Sequence, residues 1–293
     1  KVVDPSGGSY YIENLTDMIS KEALEIFKQV EKRGGMIESL KSGSIQHDIE
    51  QTRQNRDSNI AKTKDIFLGT NHYPNRDERM LDKISEIYKS NKVHISNRKN
   101  KINSDTGILE LAEFMNTGNI KLGDTINIDN KKSVSITPLI PYRGPSMFES
   151  LRFKTENYFK KTGKLPKVFP FPFGDNLAIR NIRATYTANF FGCAGFEIIE
   201  NPGFDNINDG IASLVDTKPE IVVLCSSDNE YLKTGIDICN MIKNEIPQTH
   251  IVVAGYPNDD FKKLKQIGIE GFIYSGSDAV KILSHYQKKL GII

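Results

Sequence analysis

The stretch that decides the fold reads Lys-Val-Phe-Pro-Phe-Pro-Phe at residues 167–173 and continues as Gly-Asp-Asn-Leu-Ala-Ile-Arg at residues 174–180. The first seven residues are typical of a strand, and the next seven are typical of a loop that opens a helix. In an α/β domain such a loop lies at the carboxyl edge of the sheet, where a ligand would sit. We therefore expect any ligand site of this chain to include residues 174–180.

The same order of strand and helix recurs through the rest of the chain. Further strand-like runs occupy residues 196–200, 220–226, 250–254 and 271–274, and a helical stretch follows each of them. The run Ile221-Val222-Val223-Leu224 is apolar throughout, as in a strand that is buried on both faces. This alternation predicts an α/β fold with five parallel strands, and right-handed crossovers favour the flavodoxin-like strand order. The ligand crevice of that fold lies at the carboxyl ends of the first and third strands.

The amino-terminal part is predicted to be helical. Apolar residues recur there at helical spacing, namely Leu15, Ile19, Ala23, Ile26, Phe27 and Val30. Thr16 is a candidate cap at the start of this helix, and Gly34-Gly35 would end it. A second, mostly polar helix is expected at about residues 45–62, where it would lie on a surface or against a partner.

Composition divides the 293 residues into three parts. Residues 1–74 form the helical segment, residues 75–164 are predicted to be a polar linker, and residues 165–293 form the α/β domain. Three prolines, at 138, 141 and 145, precede a helix that resumes near residue 148. The most basic stretch, residues 89–101, is interpreted as solvated linker in preference to an anion-binding patch.

Charge and cysteine content exclude several classes of function. The net charge is only +2, and Lys and Arg are interleaved with Asp and Glu, which argues against a nucleic-acid partner. No signal peptide and no long apolar run occur, so we expect no membrane association and a cytoplasmic location. The three cysteines have no C-x-x-C spacing and are interpreted as core residues in a reducing compartment. A catalytic Cys225 would need a His or a cation beside it, and the sequence places none there.

Four motifs occur in the order that they have in a known enzyme family. They are Asp4-Pro5-Ser6-Gly7-Gly8-Ser9-Tyr10-Tyr11, Gly34-Gly35-Met36, Gly69-Thr70-Asn71-His72-Tyr73 and Phe148-Glu149-Ser150-Leu151-Arg152. In these motifs the chain resembles the methylmalonyl-CoA mutase family. The resemblance implies that residues 1–74 come from the end of a substrate-binding (β/α)8 barrel domain and that residues 165–293 correspond to the cobalamin-binding domain. The chain opens on Lys1, and we interpret it as a piece of a longer polypeptide whose barrel precedes that residue.

The cobalamin site implied by this resemblance departs from the family pattern at several positions. Cofactor-binding members carry Asp-x-His-x-x-Gly, with the His as the lower axial ligand of cobalt, whereas this chain has Asp175, Leu177 and Arg180. An alkyl side chain has no lone pair for a metal, and an Arg stands where the cofactor tail needs close approach to the backbone. Ser226-Ser227-Asp228 replaces Ser-x-Leu, and Ala254-Gly255 replaces a Gly-Gly pair. We therefore expect a silent cofactor site.

Each remaining crevice position has a structural interpretation beside the functional one. The alternation of strands and helices predicts that the crevice is lined by Asp175, Ser226, Ser227, Gly255 and Gly276. Asp175, with no axial His to orient, is more simply a cap for the helix that begins near Leu177. The serines could bind a small polar ligand or cap the next helix. The turn at residues 275–278 could hold an anion or be an ordinary strand-to-helix turn. No histidine has metal-ligand spacing, so no metal site and no catalytic residue are predicted.

Two functions from different classes remain open. The first is a non-catalytic small (beta) subunit, or fragment, of an adenosylcobalamin-dependent methylmalonyl-CoA mutase, supporting assembly as a heterodimer with the catalytic large subunit. The resemblance implies that such a holoenzyme, an isomerase, interconverts (R)-methylmalonyl-CoA and succinyl-CoA. No cofactor is expected on this chain itself. The alternative is an α/β module that binds cobalamin without a His ligand, or another small molecule. An independent catalyst is disfavoured, because no nucleophile–base or paired-carboxylate arrangement can be assembled.

Overall fold

The computed structural model describes residues 3–82, 136–204, 206–256 and 261–293. The chain divides into two compact units. Among the described residues, 3–51 and 136–140 belong to the first unit, and 52–82 and 141–293 belong to the second. Much of the predicted linker, including the basic stretch at residues 89–101, lies outside the described residues.

Helices and strands follow the predicted alternation in the second half of the chain. The helices are α1 (Tyr10–Lys32), α2 (Gly35–Ser42), α3 (Ser44–Ala61), α4 (Ser146–Thr162), α5 (Leu177–Gly192), α6 (Ile207–Thr217), α7 (Asp228–Lys233), α8 (Gly235–Glu245), α9 (Phe261–Gln266) and α10 (Ala279–Lys289). The strands are β1 (Lys167–Pro172), β2 (Glu197–Ile198), β3 (Ile221–Cys225), β4 (His250–Ala254) and β5 (Ile269–Ile273).

The five strands form one sheet in the order β2-β1-β3-β4-β5, and every neighbouring pair is parallel. In its central pair, Val168 of β1 lies opposite Ile221 of β3. This is the flavodoxin-like order. The prediction of an α/β fold with a five-stranded parallel sheet is confirmed, and β4 occupies the residues that the sequence predicts.

β2 is much shorter than the five residues predicted for it, and the prolines of β1 explain why. The carbonyls of Pro166 and Val168 accept from the N–H groups of Glu197 and Ile199, so alternate residues of β1 face β2. Pro170 and Pro172 continue this series but have no N–H to donate. The carbonyl of Pro170 is bound instead by the Asn201 side chain, 2.8 Å from its Nδ2. Regular pairing therefore ends after two residues.

Both faces of the sheet are buried, as the continuous apolar strands predict. On one face Val168, Ile221 and Val223 pack in a cluster with Phe191 of α5 and Leu283 of α10. On the opposite face a second cluster joins other strand residues to α6 and α8, namely Phe169, Phe171, Val222, Leu224, Leu214 and Ile238. Neighbouring strand residues thus bury their side chains on opposite faces, as the period of two requires.

α4 contributes to this core although it lies before residue 165. Phe148 and Leu151 belong to the same buried cluster as Val168. The side-chain amide of Gln287 in α10 donates to the Leu151 carbonyl at 2.7 Å and to the Thr155 hydroxyl at 2.9 Å. These bonds connect α4 to the last helix of the α/β core.

A buried ion pair on α4 holds the segment that contains residues 75–81. Arg152 and Glu156 are each about 5% exposed or less, with 3.3 Å between Nε and Oε1. The Arg152 guanidinium also donates to the carbonyls of Asn75 and Glu78. The Glu156 carboxylate accepts from the N–H groups of Met80 and Leu81 at 3.0 and 2.8 Å. Arg152, the last residue of the Phe-Glu-x-Leu-Arg motif, therefore holds the backbone of this segment in place.

The motif at residues 69–73 also has a structural role, because its Asn71 side chain bonds the backbone of the loop in which it lies. The buried Asn71 side chain donates to the carbonyls of Ile60 and Asp65 and accepts from the Phe67 N–H at 2.7 Å. These three bonds close the loop that follows α3. Tyr73 has a φ of +47°, a left-handed conformation that a non-glycine residue adopts only when its surroundings impose it.

The first unit begins with α1, which has no buried residue. Ile19, Ile26 and Phe27 are between 56% and 60% exposed, in agreement with an apolar face that lacks a cover. The helix begins after Ser9, so the prediction that Thr16 caps it is wrong. Thr16 lies about two turns inside, and its hydroxyl donates to the Ile12 carbonyl at 2.8 Å. Gly34, with a φ of +100°, ends the helix as predicted. α2 was not predicted.

No helix among the described residues combines the length and the apolar character needed to cross a membrane.

Replacing Arg152 by Met should strongly destabilise the second unit. The substitution leaves the Glu156 carboxylate buried without its cation and frees two carbonyls. Breaking a buried pair from one side typically costs about 3–5 kcal/mol of unfolding free energy. Urea denaturation followed by circular dichroism measures the change. Arg143→Met is the matched control, because Arg143 pairs with Glu149 at 2.8 Å while 71% exposed, and such pairs are worth only about 0–1 kcal/mol. Equal losses in the two variants would contradict the assigned role.

Glu270 should make stability depend on pH. Burial raises the pKa of this carboxyl, but hydrogen bonds from His250, at 2.9 Å, and from Lys289 outweigh that effect and lower the pKa. A carboxyl with a lowered pKa stabilises the fold above its unfolded pKa of about 4.3, and this contribution is lost as the pH falls through the folded pKa. Glu270→Gln should therefore lower the unfolding free energy by about 1 kcal/mol at pH 7.

The difference between Glu270→Gln and the unmodified chain should shrink as the pH is lowered from about 5 to 3. Glu245→Gln, on the exposed end of α8, is the control and should show little difference at any pH. A Glu270→Gln effect that stays constant across this range would contradict the prediction.

Candidate functional site

The residues predicted to line the crevice all lie at one edge of the sheet. Residues 174–180 run from β1 into α5, Ser226 and Ser227 follow β3, Gly255 follows β4, and Gly276 follows β5. Because the strands are parallel, their carboxyl ends meet at the same edge. The structure therefore places these residues along the same edge, and what they can bind depends on the contacts that their polar groups already make.

The loop after β1 is capped by a different residue than the sequence analysis proposed. Asn176 is the N-cap of α5, and its side-chain oxygen accepts from the Ile179 N–H at 3.1 Å. The prediction that Asp175 caps this helix is therefore wrong. Both residue types form caps readily, and the geometry selects the one immediately before the first helical residue. Asp175 is exposed, as is Leu177, whose side chain is 59% accessible.

Arg180 folds back on the loop that precedes its own helix. Its Nη1 donates to the Gly174 carbonyl at 3.1 Å, and its Nε is buried with no hydrogen-bond partner among the described residues. A Cβ at Gly203 would lie 3.4 Å from its Nη2. The glycine at position 203, with a φ of +94°, thus leaves room for this guanidinium.

Arg183, which the sequence analysis did not single out, spans the ends of β3 and β4. One nitrogen donates to the Ser226 carbonyl, and another lies 2.7 Å from a carboxylate oxygen of Asp228. The guanidinium carbon lies 5.4 Å from the centre of the Tyr231 ring. A Cβ at Gly255 would come within 3.2 Å of Nη1. The three-residue spacing from Arg180, which places both arginines on one side of a helix, is the signal that could have found it.

Tyr231 completes the internal pairing of the Ser226 backbone. Its hydroxyl accepts from the Ser226 N–H at 2.9 Å and donates to the Ala254 carbonyl at 2.7 Å. Burial raises the pKa of this phenol, so the hydroxyl stays protonated. With Arg183 on its carbonyl, Ser226 has both backbone groups bound within the protein. Only 1% of the residue is exposed, which leaves it little surface for a ligand.

The other two predicted rim positions belong to helix starts. Ser227 is the N-cap residue of α7 but makes no side-chain cap bond, and Asp228 pairs with Arg183. Capping by the side chains at residues 226–228 is therefore not observed. At Gly276, with a φ of +90°, the turn is closed by the Ser277 N–H to the Tyr274 carbonyl, and Asp278 caps α10. Ordinary strand-to-helix turn chemistry accounts for this segment.

These contacts do not fit a cobalamin held through a protein ligand to cobalt. Leu177 occupies the position of the axial His in the resembling family and has no lone pair to give. Arg183 covers Gly255, so its guanidinium would have to leave Ser226 and Asp228 before a large group could approach the backbone there. On the side of β3 and β4, the carboxyl edge is closed by this chain's own side chains.

The three cysteines are buried and free, as the sequence analysis predicts. Burial raises the pKa of the Cys193, Cys225 and Cys239 thiols to about 12. Thiols that remain protonated at neutral pH are poor nucleophiles and poor metal ligands. Among the described residues, no three His, Cys, Asp or Glu side chains converge as they would around a metal ion.

Comparison with known proteins agrees with the motifs. Residues 1–117 match the family described as methylmalonyl-CoA mutase. The methylmalonyl-CoA mutase small subunit of Porphyromonas gingivalis is 35% identical over 292 residues, which cover 100% of this chain and 40% of that protein. The small subunit of Streptomyces virginiae is 24% identical, covering 100% of this chain and 39% of that protein. The methylmalonyl-CoA mutase of Escherichia coli is 24% identical, with coverages of 94% and 43%.

The chain thus spans about two fifths of the length of the curated relatives it matches. Among solved structures, a novel cobalamin-binding protein from Desulfitobacterium hafniense aligns with 86% of this chain and 95% of its own. The TM-score is 0.35 and the identity is 13%. A TM-score this low does not support a shared fold, so the flavodoxin-like fold is assigned from the observed strand order.

Arg183→Met should lower the unfolding free energy by about 2–3 kcal/mol, because it leaves a buried Ser226 carbonyl and an Asp228 carboxylate without their donor. Arg180→Met is the matched control. It removes the same group from the same helix but breaks only its hydrogen bond to the Gly174 carbonyl, so its loss should be about 1 kcal/mol or less. Thermal and urea unfolding measure both. A larger loss for Arg180→Met would show that Arg183 does not hold this edge together.

Proposed function

Because the chain belongs to the methylmalonyl-CoA mutase family, we propose that it is part of a small, non-catalytic subunit that pairs with the catalytic large subunit of such a mutase. The observation that carries this proposal is the carboxyl edge closed at β3 and β4, with Arg183 over Gly255 and Leu177 at the axial position. The similarity of the whole chain to proteins named small subunits supports it.

In the proposed holoenzyme, adenosylcobalamin and the residues that act on the acyl-CoA belong to the large subunit. Adenosylcobalamin supplies radical chemistry when it is bound there. The reaction would be the interconversion of (R)-methylmalonyl-CoA and succinyl-CoA, in the cytoplasm and as part of propanoate metabolism. This chain's own residues would contribute stability and contact surface to the assembly.

The exposed apolar face of α1 supports a role in assembly. Ile19, Ile26 and Phe27 lie on a helix in which no residue is buried. Contiguous exposed apolar surface in a folded protein usually marks an interaction site. We propose that the (β/α)8 barrel implied by the family covers this face in the complete subunit.

Gel filtration with added hydroxocobalamin tests the closed site. The unmodified chain should elute without the cobalamin absorbance, and so should Leu177→His, because the new ligand alone does not move Arg183. Binding should require at least Leu177→His, Arg180→Gly and Arg183→Ser together. A stoichiometric cobalamin complex of the unmodified chain would refute the proposal and establish the alternative, a cobalamin-binding module that needs no His ligand.

Copurification tests the pairing. The complete polypeptide that contains this chain, expressed with the mutase large subunit from the same organism, should elute with it as a one-to-one complex, and the bound cobalamin should be found on the large subunit. A small-subunit polypeptide that elutes alone in the presence of the large subunit would contradict the proposed partnership.

A further inference from the structure

β2 is the outermost strand on one side of the sheet, where it pairs only with β1 among the described residues. We propose that β2 also pairs with β2 of a second copy of this chain, antiparallel and across a two-fold axis at Ile198. The two five-stranded sheets would then continue into each other. This inference goes beyond the proposed subunit role and would stand if the pairing with a large subunit failed.

The backbone groups on the outer side of β2 lack partners. The N–H groups of Glu197 and Ile199 donate to β1, and successive residues of a strand direct their backbone groups to opposite sides. The N–H and C=O of Ile198 therefore point away from β1, together with the C=O of Phe196 and the N–H of Glu200. None of these four groups has a hydrogen-bond partner among the described residues. Such an edge is a template for pairing with another strand.

Open space lies on both sides of this edge. On the side of α5, a cleft of about 450 Å³ is lined by Ile198 and by the small side chains of Ala184 and Ala188. On the side of α6, a larger cleft of about 1310 Å³ is lined by Ile198 and by Lys218, at the end of that helix. Because Ile198 lines both clefts, a second strand can approach it without meeting either helix.

The pattern of donors and acceptors favours a second copy as the occupant. In an antiparallel pair centred on Ile198, the two Ile198 residues exchange both of their hydrogen bonds. Glu200 of each copy then lies opposite Phe196 of the other, so the Glu200 N–H meets the Phe196 C=O. The Phe196 N–H needs no new partner, because it already donates to the Phe191 carbonyl. All four outer groups are thus satisfied on both copies, as a two-fold contact requires.

The side chains of β2 agree with this register. The two Ile198 side chains would be direct cross-strand neighbours, and such pairs are the unit of sheet stabilisation. Glu200 forms an ion pair with Arg76 of its own chain, so its charge is compensated beside the contact. Glu197 lies opposite Ile199 of the second copy and not opposite another carboxylate. The net charge of only +2 adds little repulsion between two copies.

Sedimentation velocity of the complete polypeptide that contains this chain tests the proposal. It should show a concentration-dependent dimer with a dissociation constant on the order of 10 µM, because a contact through one short strand is smaller than a standard interface. Ile198→Pro should raise this constant at least about tenfold. It removes an outward donor that β1 does not use, and proline is tolerated at such edge positions. Ile26→Ser, on the exposed face of α1, is the control and should leave the dimer unchanged.

Circular dichroism verifies that each variant is folded. A polypeptide that stays monomeric up to about 200 µM would overturn the proposal. A dimer that is lost in Ile26→Ser but kept in Ile198→Pro would place the contact on α1 and overturn it as well. Ile198→Pro should still copurify with the large subunit, so a failure of this proposal and a failure of the proposed subunit role give different results.

Cysteine cross-linking tests the register and decides the matter even if Ile198→Pro fails to fold. In a hydrogen-bonded antiparallel pair the two Cα atoms are about 5.5 Å apart, within the range of about 4.4–6.8 Å that a disulfide spans. Ile198→Cys should therefore form a disulfide-linked dimer in air. Glu197→Cys is the matched control, because in this register the two copies of residue 197 are diagonal neighbours about 7–8 Å apart. Equal cross-linking of both variants, or of neither, would overturn the proposal.

Discussion

The Arg183 guanidinium reaches from α5 across the ends of β3 and β4, where it binds the Ser226 carbonyl and the Asp228 carboxylate and lies over Gly255. Much of the carboxyl edge is arranged around this group. Tyr231 lies beneath it and binds the Ser226 N–H, so both backbone groups of Ser226 are hydrogen-bonded within the protein. A buried carbonyl that has lost its donor is costly, and this cost opposes any ligand that would displace Arg183.

Arg180 and Arg183 belong to the same helix, α5, but their side chains bond different parts of the carboxyl edge. Arg183 closes the edge on the side of β3 and β4. Arg180, one turn earlier, bends back to Gly174 and leaves one buried nitrogen without a partner among the described residues. At β3 and β4 the edge is thus closed by Arg183. The closure by Arg183 underlies the proposed subunit role.

Outside that edge, polar side chains hold segments that secondary structure alone would leave loose. Arg152 and Glu156 bind the backbone of the segment that contains residues 75–81, and Asn71 closes the loop after α3. Each of these residues is buried and hydrogen-bonded, so Arg152 and Asn71, which belong to the motifs, have structural roles. The prolines of β1 act in the opposite direction, because they withhold the donors that a longer β2 would need.

The sequence by itself determined features that depend on neighbouring residues or on a single side chain. Apolar runs such as residues 221–224 identified the strands, their alternation with helices identified the parallel sheet, and Leu177 excluded an axial ligand through the covalent structure of its side chain. Tertiary structure alone decided the rest, because the contacts join residues far apart in the chain. Arg183 meets Ser226 forty-three residues away, and Glu156 meets Met80 seventy-six residues away. Neither pair has a periodicity or spacing that a sequence pattern could show, since their proximity exists only once the sheet has placed both elements side by side.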